Sequence, residues 1–236
     1  MNRFVLMIGK NITKLPGVCG KLRKYAKDPA RYPEIETWNH VKRTLELCVK
    51  AGNVDLQVTG LENIPQEGGF MLYGNHQGLF DIMAIGSTCP QPLGAVYKKE
   101  LKNIPVLDDI MKVTRSFSMD REDVRQSLQV IQAVTQEVKN GRSYLLFPEG
   151  TRSKKGNEMN DFHGGSFRCA TKAKCPVVPF ALIDSFKVLD QKGSAPVTVQ
   201  LHYLAPIPYE EYKDLKPAQL ADLVKDRIQA CIDAHI

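Results

Sequence analysis

The stretch "FMLYGNHQGLFD", Phe70 to Asp81, decides the fold. Its first four residues form an unbroken apolar run that reads as a short, fully buried strand, and Gly74 closes it. A helical pattern begins at Phe80 and continues to Ser87. A strand that passes at once into a helix is the building unit of a parallel sheet, because parallel neighbours need a crossover to return in the same direction. Between the two lie His76 and Asp81. That places a polar pair at the carboxyl end of a strand, the edge at which open α/β sheets hold their ligands.

The same alternation extends outward. "VDLQV" (Val54 to Val58) has the period of two of a half-exposed strand, whereas "GAVY" (Gly94 to Tyr97), "YLLF" (Tyr144 to Phe147) and "VVPFALI" (Val177 to Ile183) read as short buried strands. "SFSM" (Ser116 to Met119) and "VTVQLHYL" (Val197 to Leu204) are further candidates. Helical spacing runs from Pro33 to Gly52, with Ile35, Trp38, Val41, Leu45 and Val49 on one face, and from Val106 to Val113. The clearest helix is Asp123 to Asn140, with Val124, Leu128, Ile131, Val134 and Val138 on its apolar face and Gly141 as the stop. Gly165 to Lys174 and Pro217 to Ala234 complete the set. The expected fold is α/β, a mostly parallel central sheet flanked by helices, with an N-terminal basic amphipathic helical segment.

A hydrophobic share of 43% in 236 residues supports one buried core and argues against disorder. The six cysteines show no C-x-x-C spacing and no signal peptide precedes them, so free thiols in a reducing compartment are expected. The apolar run "FVLMI" (Phe4 to Ile8) is far shorter than the ~18 to 20 residues of a membrane span. The net charge of +6 is concentrated: the first 27 residues carry seven Lys or Arg and no acid, interleaved with apolar residues. Two readings fit this pattern, a segment lying on an anionic membrane surface and a solvated basic arm. Nucleic acid is not an expected partner, since no basic and aromatic interleaving recurs elsewhere. Residues 1–52 are assigned to an N-terminal helical membrane-surface segment and residues 53–236 to the α/β domain.

Polar groups follow several strands. His76 follows "FMLY", Lys98 and Lys99 follow "GAVY", Arg121 follows "SFSM", and "PEGTR" follows "YLLF". An imidazole can take a proton from a hydroxyl, and a carboxylate can fix its tautomer and stabilise the imidazolium, which suits acyl transfer. A capping Asp beside an ordinary surface His fits the same two residues. No G-x-S-x-G elbow supplies a nucleophile, so in an acyl transfer the substrate would bring the attacking hydroxyl. "FPEGTRS" (Phe147 to Ser153) offers amides, a hydroxyl and a guanidinium together, which suits either a phosphate site or a turn with a solvated Arg. The five histidines show neither H-x-x-x-H nor H-E-x-x-H spacing, so no metal is expected, and no dinucleotide or P-loop motif is present.

Taken jointly, these motifs resemble the glycerolipid acyltransferases typified by 1-acyl-sn-glycerol-3-phosphate acyltransferase (lysophosphatidic acid acyltransferase). "NHQGLFD" is similar to the family's N-H-x-x-x-x-D block, "YKKELKNIP" through "MDR" to its second block, "FPEGTRS" to its third and "CPVVPFAL" to its fourth, across roughly Leu56 to Ile183. The resemblance implies His76 as general base with Asp81 as its partner. It implies Arg152, with Glu149, Gly150 and Thr151, as the site for the acceptor's glycerol phosphate, assisted by Arg121 and Lys98. It further implies transfer of a fatty acyl group to lysophosphatidate from acyl-CoA or acyl-carrier protein, with no cofactor, by a protein peripheral on the cytoplasmic face of the cell membrane. Another lysolipid or glycerol-3-phosphate as acceptor, and a non-catalytic anionic-lipid binder on the same scaffold, are the alternatives. Three positions depart from the family pattern: Gly78 where a small hydroxyl residue is common, "TRSFSMDR" without the usual Gly, and His163 where a Lys is usual.

Overall fold

The computed structural model describes residues 3–236, so the first two residues of the expected N-terminal segment lie outside the described ones. Seven strands form one sheet: β1 (Val54–Thr59), β2 (Met71–Gly74), β3 (Leu93–Lys98), β4 (Phe117–Met119), β5 (Ser143–Leu146), β6 (Val177–Ile183) and β7 (Val197–Tyr203). Their spatial order is β1-β7-β6-β2-β5-β3-β4. All neighbours are parallel except β6 and β7, where Phe180 faces Tyr203 and Ile183 faces Gln200 in antiparallel register. The β1 and β7 pair therefore runs against the other five strands.

The helices are α1 (Arg3–Asn11), α2 (Leu15–Lys27), α3 (Glu34–Ala51), α4 (Asp81–Thr88), α5 (Leu107–Val113), α6 (Val124–Lys139), α7 (Arg168–Ala173), α8 (Phe186–Leu189), α9 (Tyr209–Tyr212) and α10 (Pro217–Asp233). Alternate residues of the buried strands point to opposite faces, so each strand feeds two cores. Met71, Tyr73, Tyr144, Leu146, Val177 and Ala181 pack under α6, α7 and α10. Phe70, Leu72, Leu145, Val178, Phe180 and Leu201 pack on the other face with Trp38 of α3 and Ala84 and Ile85 of α4. Strands buried on both sides explain the continuous apolar runs. Strand β1, at the sheet's edge, keeps its alternation of half-buried and exposed residues.

The N-terminal helices rest on this body. Met7 of α1 joins the α3 and α4 core, while Leu22 and Tyr25 of α2 pack with Val41 of α3 and Val113 of α5. The outer side of α1 is apolar, with Phe4, Val5 and Ile8 exposed and Ile12 beyond its end exposed as well. Among the described residues no helix is long and apolar enough to cross a membrane.

Two details differ from the sequence expectation. The apolar face of α6 is one turn shorter, since Val130, Ile131, Val134 and Val138 are buried but Val124 and Leu128 are exposed. The neighbouring edge strand β4 has only three residues and gives the first turns nothing to pack against. Asp123 caps this helix through its side chain, which accepts from Gln126 N at 3.0 Å, so the helix starts one residue later. The stretch expected as one helix from Gly165 to Lys174 divides into a 3₁₀ turn, Gly164–Phe167, and α7.

Candidate active site

Strand β2 ends at Gly74, and the next three side chains fix the loop. Asn75 is wholly inside: its Nδ2 donates to Leu182 O and its Oδ1 accepts from Leu182 N, both at 2.8 Å, pinning the loop to β6. Gln77 reaches the other way, accepting from Ser185 N at 2.9 Å and donating to Asn157 Oδ1 at 2.8 Å. His76, between them, is left facing outward and half-buried.

The His76 ring is held by a carboxylate. Asp81, the first residue of α4 and completely buried, accepts at Oδ2 from His76 Nδ1 at 2.7 Å, from Gln77 N at 2.6 Å and from Gly78 N at 3.0 Å. Its Oδ1 accepts from Ser185 Oγ. Because an ionised carboxylate only accepts, Nδ1 must carry the proton, which leaves the lone pair on Nε2. The Phe147 ring lies against the imidazole, with centroids 4.0 Å apart and planes 15° from parallel. Stacking and the Asp81 bond together leave the ring one orientation, with the side chain 19% accessible.

The "PEGTR" loop clasps the His76 backbone from the other side. Glu149 Oε1 accepts from His76 N at 2.7 Å, Glu149 Oε2 accepts from Asn160 N at 2.9 Å, and His76 O accepts from Ser153 N at 2.9 Å. The structure thus turns Glu149 inward to the His76 backbone, with both oxygens engaged. Burial pushes its carboxyl above its ordinary value, opposed by the two backbone donors. Gly150 has φ of +69°, a conformation that L side chains rarely adopt, and a Cβ there would stand 3.3 Å from the His163 ring. Thr151 is exposed, and the Arg152 guanidinium reaches the mouth of the site, where it pairs with Asp190.

The remaining cations lie farther along the edge. Lys98 pairs with Glu100 at 3.2 Å and Lys99 with Asp120 at 2.5 Å, while Arg121 is exposed after β4. No described hydrogen bond or ion pair links Lys98 or Arg121 to His76 or Arg152. Asn75, Gln77, Phe147, Asn157, Ser185 and Asp190 belong to the assembly without having been singled out in the sequence. The first three stand inside or beside motifs already recognised. The other three reach the site through pairings 38 to 111 residues apart in the chain, which no local spacing reveals.

One group of potential metal ligands exists among the described residues, His202 on β7 with Cys231 and His235 at the end of α10, whose ligand atoms lie within 4.8 Å of one another. It is assembled by the fold rather than by spacing. Both His202 ring nitrogens are already bonded, to Thr59 Oγ1 at 2.8 Å and Gln200 Oε1 at 3.2 Å, and burial raises the Cys231 thiol pKa, disfavouring the thiolate a metal needs.

The chain is similar to several known proteins. A 1-acyl-sn-glycerol-3-phosphate acyltransferase from Saccharomyces cerevisiae is 28% identical over 179 residues, 74% of this chain and 59% of its own. One from Helicobacter pylori is 32% identical over 118 residues, half of each chain. The chain thus spans half to three fifths of the length of these two relatives. The fold is similar to the crystal structure of the 1-acyl-sn-glycerophosphate (LPA) acyltransferase PlsC from Thermotoga maritima, with a TM-score of 0.80, 21% identity, and coverage of 98% of this chain and 94% of that one. A family model described as Acyltransferase matches residues 55–183, more than half the chain and the span that carries His76, Asp81 and the "PEGTR" loop, so the chain belongs to the Acyltransferase family.

Proposed function

We propose that the chain is a 1-acyl-sn-glycerol-3-phosphate O-acyltransferase, moving a fatty acyl group from acyl-CoA or acyl-carrier protein to the sn-2 hydroxyl of lysophosphatidate to give phosphatidate. The observation that carries this reading is the 2.7 Å bond from His76 Nδ1 to buried Asp81, which leaves the Nε2 lone pair to accept a proton. His76 Nε2 takes the proton of the acceptor hydroxyl as its oxygen attacks the thioester carbonyl. The tetrahedral intermediate then collapses, the C–S bond breaks, and the imidazolium returns its proton to the leaving thiolate. Asp81 stabilises the imidazolium between these steps, and general-base assistance of this kind contributes ~10²- to 10⁴-fold in rate.

Arg152 binds the acceptor phosphate, with Gly150 and Thr151 shaping the approach and Lys98 and Arg121 adding positive potential along the edge. Glu149 acts as a positioning residue through the His76 backbone. No cofactor takes part. The exposed apolar side of α1, with Lys10 and Lys14 beside it, supports residues 1–52 as a segment resting on an anionic membrane, with residues 53–236 as the acyltransferase domain at the cytoplasmic face of the cell membrane.

The test is mass spectrometry of products from the purified chain given 1-oleoyl-lysophosphatidate and oleoyl-CoA, beside His76→Ala. Phosphatidate from the wild type alone supports the reading, and equal product from the variant refutes it. A different acceptor head group is the second reading, favoured by the His163 ring standing against Gly150 where the family pattern has a Lys. A panel of lysolipids and glycerol-3-phosphate decides between the two.

A further inference from the structure

The Arg152 guanidinium already holds an anion from this chain. Asp190 follows α8, and one of its oxygens, Oδ1, accepts from Arg152 Nη1. The other, Oδ2, accepts from Leu79 N at 2.9 Å, an amide three residues beyond His76. A single carboxylate thus joins the "PEGTR" loop to the loop that carries His76. A guanidinium with a backbone N–H is also the donor set that a phosphate oxyanion uses.

Room for this carboxylate is made at one position. A Cβ built on Gly78 would lie 2.4 Å from Asp190 Oδ2 and 3.1 Å from Phe186 Cα. Gly78 does not need a glycine for its dihedral angles, since its φ lies outside the left-handed region. Its missing side chain is what admits Asp190. The departure from the family pattern at Gly78 and the ion pair at Arg152 are therefore two parts of one arrangement.

The geometry points to Asp190 as a resident counter-anion of the acceptor-phosphate subsite, a specificity-determining residue that an incoming phosphate must displace from Arg152 and the Leu79 amide. This inference rests on the proposed reading of Arg152 as the phosphate anchor. A dianionic phosphate competes well for the guanidinium, whereas a neutral acceptor leaves the pair closed. Asp190 raises the KM for every acceptor that uses Arg152, and it keeps the cation paired in the empty enzyme. The pair is partly exposed, with side chains about one third and one quarter accessible, which keeps the competition modest and the subsite loadable.

Asp190→Asn tests this, because the amide oxygen still accepts from Leu79 N while the charge is gone. With 1-oleoyl-lysophosphatidate and oleoyl-CoA, the variant should lower the acceptor KM by about two- to fivefold, the range expected for removing a partly exposed ion pair, with kcat within twofold of wild type. With 1-oleoylglycerol as a phosphate-free acceptor, the fall in KM should be absent, and an equal fall there overturns the counter-anion role. Arg152→Ala, measured alongside, should raise the lysophosphatidate KM. A raised Arg152→Ala KM with an unchanged or raised Asp190→Asn KM overturns the counter-anion role and leaves the phosphate reading standing. An Arg152→Ala KM equal to wild type overturns both. Circular dichroism melts of each variant separate these outcomes from loss of fold.

Discussion

Replacing Asp81 by Asn probes the centre of the proposed mechanism with least disturbance of shape. Oδ2 faces three donors, His76 Nδ1, Gln77 N and Gly78 N, and Oδ1 faces the Ser185 hydroxyl. An Asn oxygen must take the Oδ2 position, because an NH₂ there would oppose three N–H groups. The Ser185 hydroxyl can turn and accept from the amide. The His76 tautomer is therefore retained, and only the charge is lost.

That charge matters in two ways. In the resting enzyme four charge-assisted bonds become neutral, at about 1 kcal/mol each, largely offset because a carboxylate no longer has to be buried. A net loss of about 1 to 2 kcal/mol lowers the Tm by roughly 2 to 8 °C for a chain of this size. In the transition state the imidazolium loses its counter-charge, worth about 4 kcal/mol for charge centres about 4 Å apart at an effective dielectric constant of roughly 20. The expected fall in kcat is therefore about a thousandfold, with little change in KM. Initial rates of thiol release from oleoyl-CoA, paired with a thermal melt, measure both. A kcat within tenfold of wild type would show that no imidazolium accumulates and would refute the general-base role. A Tm drop well beyond 10 °C would assign Asp81 to the fold instead.

Other outcomes follow from single features. Gly150→Ala forces a left-handed residue to carry a Cβ against His163, at about 1 to 2 kcal/mol, so the melt should fall by roughly 2 to 8 °C and the acceptor KM should rise as the Arg152 loop shifts; an unchanged KM refutes the loop's role. Phe4→Glu with Ile8→Glu should reduce sedimentation with anionic vesicles without altering the melt, and undiminished binding would remove α1 from the membrane contact. Burial holds the His202 pKa below its ordinary value of about 6.5, so as pH falls through that value the unfolded chain gains a proton that the folded chain refuses. Stability should decline on acidification from pH 7 to 5.5, and His202→Asn should decline less in urea melts; equal declines refute this.

Much of the molecule is written locally. "FMLY", "YLLF" and "VVPFALI" form buried strands because both faces of their sheet are covered, and a run of apolar residues admits few other fates. His76 and Asp81 were legible since a five-residue turn brings one to the other. What was hidden depends on distance along the chain. That β7 opposes β6 is a choice of connection, on which strand composition is silent. The family resemblance sets Glu149 with Arg152 at the phosphate, whereas its direction is set by the His76 and Asn160 amides. Asp190 stands 38 residues from Arg152 and 112 from Gly78, in a stretch with no motif of its own. Val124 and Leu128 fit the helical period perfectly and are exposed because the edge strand beside them is short.

Strand β2, which delivers His76, is flanked by β5 and β6, and its register joins Met71 to Tyr144 on one side and to Val177 on the other. Roughly a hundred residues separate it from its later partner, so at about 5 to 20 residues per second a ribosome needs about 5 to 20 s to supply that strand after β2 has been made. During that interval the apolar β2 segment lacks its β6 neighbour, and until β5 emerges both of its hydrogen-bonding edges are unpaired. The central position that buries β2 in the finished protein leaves it exposed in the nascent chain, and sets an early demand on whatever shields it there.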